Sequence, residues 1–371
     1  MYGALRPLLF LLPAHAAHAI AFAALGPAEH IAPLRALLRA TAKAPSDPRV
    51  ATRVMGLAFP SPIGLAAGFD KNAYRPRSLA ALGFGHLEIG TVTAQAQRAN
   101  PRPNLFRLPA DRALVNRLGF PNEGATRVAA RLVTARSGVD VPLGISIGKS
   151  RVVPPQAIDA VVADYGAALD RVRHVADFVV VNVSSPNTLG LRALQAREHA
   201  RVLLATLKER AGSDCPILVK IAPDLDEAEL EDVLAVVEQV GIQGVVATNT
   251  TVSRDGLRTR PTRIGSIGAG GLSGPPLRTR VVSIVRRVRA RLGATVVVIG
   301  VGGVETAGHA LALIAAGANL VQIYTGFVYG GPWVASRITR DLAAILAREG
   351  VKSVGDLVGS EEASFTETSR Q

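Results

Sequence analysis

From residue 60 onward the chain repeats one theme: a short run rich in Val, Ile, Leu or Gly, a small polar loop, then a stretch with helical spacing of apolar residues. The runs cover residues 63–69, 86–93, 143–148, 178–183, 217–221, 244–248, 295–300 and 320–324. Helical stretches stand between most of them, at residues 157–174, 193–211, 226–240, 278–292 and 307–316. Strands alternating with helices predict a parallel sheet, and eight such units predict an α/β fold closed into a (β/α)8 TIM barrel. An open doubly wound sheet would need a Gly-x-Gly-x-x-Gly turn after an early strand. No early strand supplies one.

The pattern before the barrel is different. Residues 5–25 are strongly apolar, and Arg6 is their only formal charge. A secretory signal peptide would end at small residues such as Ala21-Phe22-Ala23-Ala24. A transmembrane helix needs about 20 apolar residues, which this run barely reaches. Pro13 interrupts it, and His15 and His18 sit in its middle. A third reading is two short amphipathic helices lying on a membrane. The second would span residues 31–42, with Ile31, Leu34, Leu37 and Leu38 on one face and Arg35 and Arg39 reaching toward headgroups. The predicted organisation is therefore an N-terminal helical extension (1–45), a barrel (46–350) and a flexible polar tail (351–371).

A length of 371 residues suits one barrel with an appendage. Lys and Arg exceed Asp and Glu by 42 − 29, or +13, which favours anionic partners without choosing among them. The basic residues are scattered with no zinc-finger or RNP spacing, so nucleic acid is not an expected partner. The single cysteine, Cys215, cannot form an intramolecular disulfide or a thiolate metal site, and no metal is expected.

In such a barrel the chemistry sits at the C-terminal strand ends. Here these read Ala66-Ala67-Gly68-Phe69-Asp70-Lys71-Asn72, Thr91-Val92-Thr93, Gly148-Lys149, Asn182-Val183-Ser184-Ser185-Pro186-Asn187-Thr188, Lys220, Thr248-Asn249-Thr250-Thr251, Gly300-Val301-Gly302-Gly303 and Tyr324-Thr325-Gly326. The glycines through Gly303, the N-terminus of the following helix, and Tyr324 to Gly326 make a candidate phosphate site. Lys71 and Lys220 suit a substrate carboxylate and an anionic cofactor edge, or a Schiff base in an aldolase-like barrel. Asn116, Asn182, Asn187 and Asn249 each offer a donor and an acceptor, which suits imide or ureide groups. Ser185 has no evident His-Asp relay, which argues against a hydrolase triad, and a loop serine bonding its own backbone is the plain alternative.

These stretches, together with Asn100-Pro101-Arg102-Pro103-Asn104-Leu105-Phe106-Arg107-Leu108-Pro109, Asn116-Arg117-Leu118-Gly119-Phe120, Val219-Lys220-Ile221-Ala222-Pro223-Asp224 and Gly270-Gly271-Leu272-Ser273-Gly274, resemble dihydroorotate dehydrogenase. The resemblance implies FMN-dependent oxidation of dihydroorotate to orotate. FMN would contact Ala66, Ala67, Gly68, Phe69, Asp70, Thr91, Asn182, Lys220, Thr248, Gly274, Gly303, Tyr324 and Thr325. Substrate would be held by Lys71, Asn116, Arg117, Leu118, Gly119, Phe120, Asn182, Asn187, Asn249 and Thr250. Ser185 would be the base, with Thr188 and Phe120 bordering its proton exit. Members of the quinone-linked class carry serine at this position and cytosolic members carry cysteine. Ser185 and the apolar extension therefore imply a membrane quinone as acceptor, rather than fumarate or NAD. His18, Arg107 and Tyr324 would line the quinone tunnel. A monomer bound peripherally to the cytoplasmic side of the inner membrane is the expectation. One departure stands out: the family pattern Gly-x-Asn-x-Gly-Lys-Asn reads Gly144-Ile145-Ser146-Ile147-Gly148-Lys149-Ser150, so Ser146 stands where the family's asparagine contacts FMN and is expected to keep that cofactor contact with a shorter side chain, directly or through water.

Overall fold

Eight strands close into a parallel barrel in sequence order: β1 (Ile63–Leu65), β2 (His86–Val92), β3 (Leu143–Ile147), β4 (Phe178–Asn182), β5 (Ile217–Ile221), β6 (Gly244–Ala247), β7 (Val297–Val301) and β8 (Leu320–Ile323). This computed structural model describes residues 2–360. Each predicted run overlaps one strand, and β8 pairs back onto β1 with Val321 opposite Ile63. Alternation sorts the side chains. Phe178, Val180, Leu218, Val246, Ile299 and Leu320 fill the interior. Val179, Val181, Ile217, Val219, Val245 and Val298 face the surrounding helices. An antiparallel hairpin, Thr52–Val54 with Leu57–Phe59, adds Phe59 to the interior cluster and closes the N-terminal end.

The helices follow their sequence signals. Glu227–Val240 starts at a capping box between Asp226 and Glu229 and stops at Gly241 in the left-handed region. Ile158–Val172, Arg278–Leu292 and Ala307–Ala315 match the predicted stretches closely. The stretch at 193–211 divides into a 3-10 turn, Leu191–Gln195, and a helix, Arg197–Ala211.

Over the barrel mouth lies a small antiparallel sheet built from Leu105–Leu108, Ala113–Asn116 and Gly271–Ser273, in which Asn116 pairs with Gly271.

The extension forms four helices rather than two: α1 (Tyr2–Leu11), α2 (Ala14–Ala24), α3 (Gly26–His30) and α4 (Ala32–Ala42). Pro13 separates the first two, while Pro27 and Pro33 sit in the first turns of α3 and α4, where a missing N–H costs nothing. No helix among the described residues is long and apolar enough to cross a membrane, so the transmembrane reading has no element to carry it. At the start of α4 the capping Ile31, and along it Leu34 and Leu37, are exposed, whereas Leu38 packs on the core. The two arginines turn to protein. Arg35 donates to the carbonyls of Ala28 and Glu29, and Arg39 pairs with Asp140 at 3.0 Å. Residues 351–360, assigned to the flexible tail, pack on the barrel instead. Val354 and Leu357 are buried, and the Val354 amide bonds the Arg49 carbonyl at 2.7 Å. The rest of the predicted tail, residues 361–371, lies outside the described residues.

Candidate active site

Strands β1, β2 and β4 to β8 all reach one cavity of about 1070 Å³, part of it open to solvent, with the small antiparallel sheet along its rim. At one end stand Gly274, Gly302, Gly303, Tyr324, Thr325 and Gly326. The short helix Thr325–Gly330 begins there, and its first N–H groups have no partner within the helix. The sequence pointed to the helix after Gly303 for this role. That helix starts further on, capped by Thr306, and neither lines the cavity. Ser273, which the sequence reading passed over, also faces the cavity and lies 2.8 Å from the Thr325 hydroxyl.

In the middle, Asn182 Nδ2 donates to Thr91 Oγ1 at 3.0 Å. Ser146 lies beneath Thr91, with the two hydroxyl oxygens 2.9 Å apart. It is fully buried and does not reach the cavity. Ala66, Ala67, Gly68, Thr248 and Lys220 complete this part of the wall.

The asparagines form two linked pairs across the mouth. Asn187 Nδ2 donates to Asn116 Oδ1 at 3.1 Å. Asn249 Nδ2 donates to Asn182 Oδ1 at 3.2 Å and to Ser184 Oγ at 3.0 Å. Thr250 lies beside them. Ser185, 5% exposed, faces the same cavity, and its Oγ accepts the Asn187 amide N–H at 3.2 Å. That bond uses an acceptor site and leaves the hydroxyl proton free. The Thr188 hydroxyl is buried without a hydrogen-bond partner among the described residues.

Lys71 reaches the cavity and donates to the Gly68 carbonyl. Burial lowers its pKa to about 8, against a smaller opposing effect of Asp70. Leu118, Gly119 and Phe120 line the wall as expected. Phe120 adopts a left-handed backbone (φ 53°), and its carbonyl accepts from Asn122 Nδ2 at 2.9 Å. Its ring packs against Gly148, where a Cβ would come within 2.9 Å of the ring edge.

Other expected contacts turn elsewhere. Arg117 stacks over Phe106 and donates to the carbonyls of Ile267 and Ala269, holding the loop above the site. Asp70 is buried and accepts backbone N–H bonds from Asn72, Tyr74 and Arg75, which shapes the loop carrying Lys71. Phe69 joins an aromatic cluster with His18 (5.0 Å), Phe327 (4.8 Å) and Tyr324 (6.1 Å). His18 therefore approaches the cavity through Phe69, and burial, then the charge of Lys71, lowers its pKa to about 4. Arg107 lies over the Phe10 ring at 4.5 Å and donates to the carbonyls of Leu9 and Leu12, tying α1 to the rim sheet. Beneath the mouth, Gln322 and Glu88 form a polar layer that the sequence reading did not single out. Their signal was present as a Gln and a Glu inside otherwise apolar strand runs.

A closed parallel barrel with its polar side chains at the C-terminal mouth, a glycine-lined corner at one end of the cavity and an apolar helical extension beside it is the architecture of a (β/α)8-barrel enzyme. The family model for dihydroorotate dehydrogenase matches residues 49–346. A dihydroorotate dehydrogenase (quinone) of Thermobifida fusca is 51% identical over 358 residues, covering 95% of this chain and 94% of its own. The corresponding protein of Nocardia farcinica is 49% identical over 364 residues, covering 97% of both chains. Among solved structures, ligand-free DHODH from Eimeria tenella superposes with a TM-score of 0.79 at 35% identity, covering 89% of this chain and 98% of that one. The chain belongs to the dihydroorotate dehydrogenase family.

Proposed function

We propose that this protein oxidises dihydroorotate to orotate on bound FMN and passes the electrons to a membrane quinone, the redox step of pyrimidine synthesis. The observation that carries the reading is the shared cavity. Ser185, the two lysines and the linked asparagines, drawn from distant parts of the chain, all face it. The residues fit FMN. The glycine corner and the start of the Thr325–Gly330 helix suit its phosphate. Lys220, whose ammonium makes no hydrogen bond to any described residue, suits the anionic edge of its ring. When bound, FMN supplies a two-electron acceptor. The chain's own groups do the rest. The Lys71 ammonium anchors the substrate carboxylate, and the asparagines hold the ureide and imide groups. Ser185 Oγ removes the C5 proton, with Thr188 beside it as the next acceptor.

The quinone assignment rests on the serine at position 185 and on the extension, where Leu5, Leu8, Leu11, Leu12, Ile20, Ile31, Leu34 and Leu37 are exposed to solvent. So many apolar side chains on one appendage suit lipid contact. His18, Phe69 and Tyr324 give a continuous aromatic path from there to the cavity. The proposal extends to a monomer bound peripherally at the cytoplasmic face of the membrane. Its test is an absorption spectrum of the purified protein followed by anaerobic titration with dihydroorotate. A yellow protein bleached by the substrate is expected; a colourless protein, or one that stays oxidised, refutes the reading.

A further inference from the structure

We infer that Glu88 is a positioning residue that sets, through Lys220, the charge presented to the cavity, and thereby the reduction potential of the cofactor. The inference rests on the FMN reading above.

Barrel interiors are normally filled by branched apolar side chains. Here the layer just beneath the mouth holds a carboxylate. Glu88, on β2, has a side chain with no solvent exposure at all. Its inward direction follows from alternation, because Leu87 and Ile89 belong to the outer core. Its two oxygens have different surroundings. Oε2 accepts from Gln322 Nε2 of β8 at 2.8 Å. Oε1 has no hydrogen-bond partner among the described residues and faces Lys220 Nζ of β5 at 3.8 Å. Lys220 and Gln322 line the cavity, whereas Glu88 lies one step deeper.

This arrangement is half finished in a specific way. A buried ion pair kept for stability alone would close to hydrogen-bond distance and satisfy its remaining donors and acceptors. Instead the ammonium keeps its donors for the cavity while a carboxylate behind it offsets its charge. The Glu88–Lys220 pair is neutral as a unit, so a ring edge above Lys220 gains less than a full positive charge would give it. Gln322 tempers the carboxylate in turn by donating to Oε2. Interactions that differ between an oxidised and a reduced, more negative ring shift the equilibrium between them, and charge in a buried site acts strongly. Glu88 does not line the cavity, so its effect passes through Lys220.

The test is the midpoint potential of the flavin in the holoprotein, measured anaerobically against a reference dye, with the spectrum as a check on flavin binding. Glu88→Gln keeps the shape and removes the charge. It should raise the reduced-to-oxidised ratio at equal ambient potential about tenfold, a positive shift of about 30 mV for a two-electron couple. Glu88→Asp keeps the charge and should stay near the wild-type value. An unchanged or more negative potential in Glu88→Gln, or a shift in Glu88→Asp as large as in Glu88→Gln, overturns the inference. If Glu88→Gln does not retain flavin, Glu88→Met, which also removes the charge at nearly the same length, carries the test: the potential should again rise, and an unchanged or lowered value overturns the proposal. A wild-type protein without yellow colour would remove the FMN reading itself, whereas a yellow protein with an indifferent Glu88 would remove only this inference.

Discussion

Among the described residues no histidine or carboxylate bonds Ser185, so the proposed use of this serine as a base depends on position. Its Oγ is fixed by the Asn187 amide and opens on the cavity, and three residues further on the buried Thr188 hydroxyl has no hydrogen-bond partner among the described residues. Ser185→Ala should slow flavin reduction by dihydroorotate at least about 10²-fold, the usual size of a general-base contribution. Stopped-flow absorbance would show this with flavin still bound. Lys71 makes a second prediction at this scale. Burial lowers its pKa to about 8, so it is charged below that pH and neutral above it. Affinity for the carboxylate of orotate should therefore fall as pH rises through about 8, well before an ordinary lysine would lose its proton. Titrations followed by the flavin spectrum would reveal the step, and Lys71→Met should bind weakly and flatten it.

Among the elements, the extension divides into two halves with different attachments. The carboxylate of Glu29, at the end of α3, is buried and accepts the backbone N–H groups of Ser78 (3.0 Å) and Arg77 (3.4 Å). It thereby caps the first turn of the helix Pro76–Ala80 and holds α3 to the barrel. Helix α1 is held at the rim by Tyr2, Arg6 and Arg107, α2 is held by Arg75, whose Nε donates to the Phe22 carbonyl, and the two carry much of the exposed apolar surface. Removing residues 2–24 should abolish vesicle binding and quinone turnover while anaerobic flavin reduction by dihydroorotate persists. Loss of flavin reduction as well would show that these helices support the barrel site itself. Element by element, the barrel strands and long helices were legible in the chain because short apolar runs alternate with helically spaced stretches. The rim sheet was not. Its strands, as short as the shortest barrel strands, stand outside that alternation, and Asn116 finds its partner at Gly271 only after folding. The division of the extension into four helices could be read only in part: Pro13 is a visible break and Pro33 suits a first turn, whereas α3 is only five residues long, too short for a helical period to show.

For the molecule as a whole, stability and function meet inside the barrel. His86 is fully buried, neither ring nitrogen has a hydrogen-bond partner among the described residues, and burial lowers its pKa to about 3. Only the unfolded chain takes up its proton as pH falls from about 6.5 toward 3, so stability is lost in that direction, by at most about 1.4 kcal/mol per pH unit from this group. Urea midpoints at about pH 5 and pH 7 should differ accordingly, and His86→Leu should narrow the gap. Gly64 exists for the same ring: a Cβ there would lie 2.2 Å from His86 Nε2. Gly64→Ala should destabilise the barrel by about 1–3 kcal/mol, the usual cost of overpacking, as measured by urea unfolding. By itself the sequence determined the barrel, because alternation of strand and helix is written locally, and it determined the residue types at the strand ends, because position along a strand follows from that alternation. Only the tertiary structure decided which of those side chains share the cavity. Arg117, Asp70 and Ser146 turn from it, His18 comes to it through Phe69, and Glu88 stands under Lys220. The reason is that a side chain's direction is set by strand register and by partners from distant parts of the chain, and neither leaves a mark on neighbouring residues.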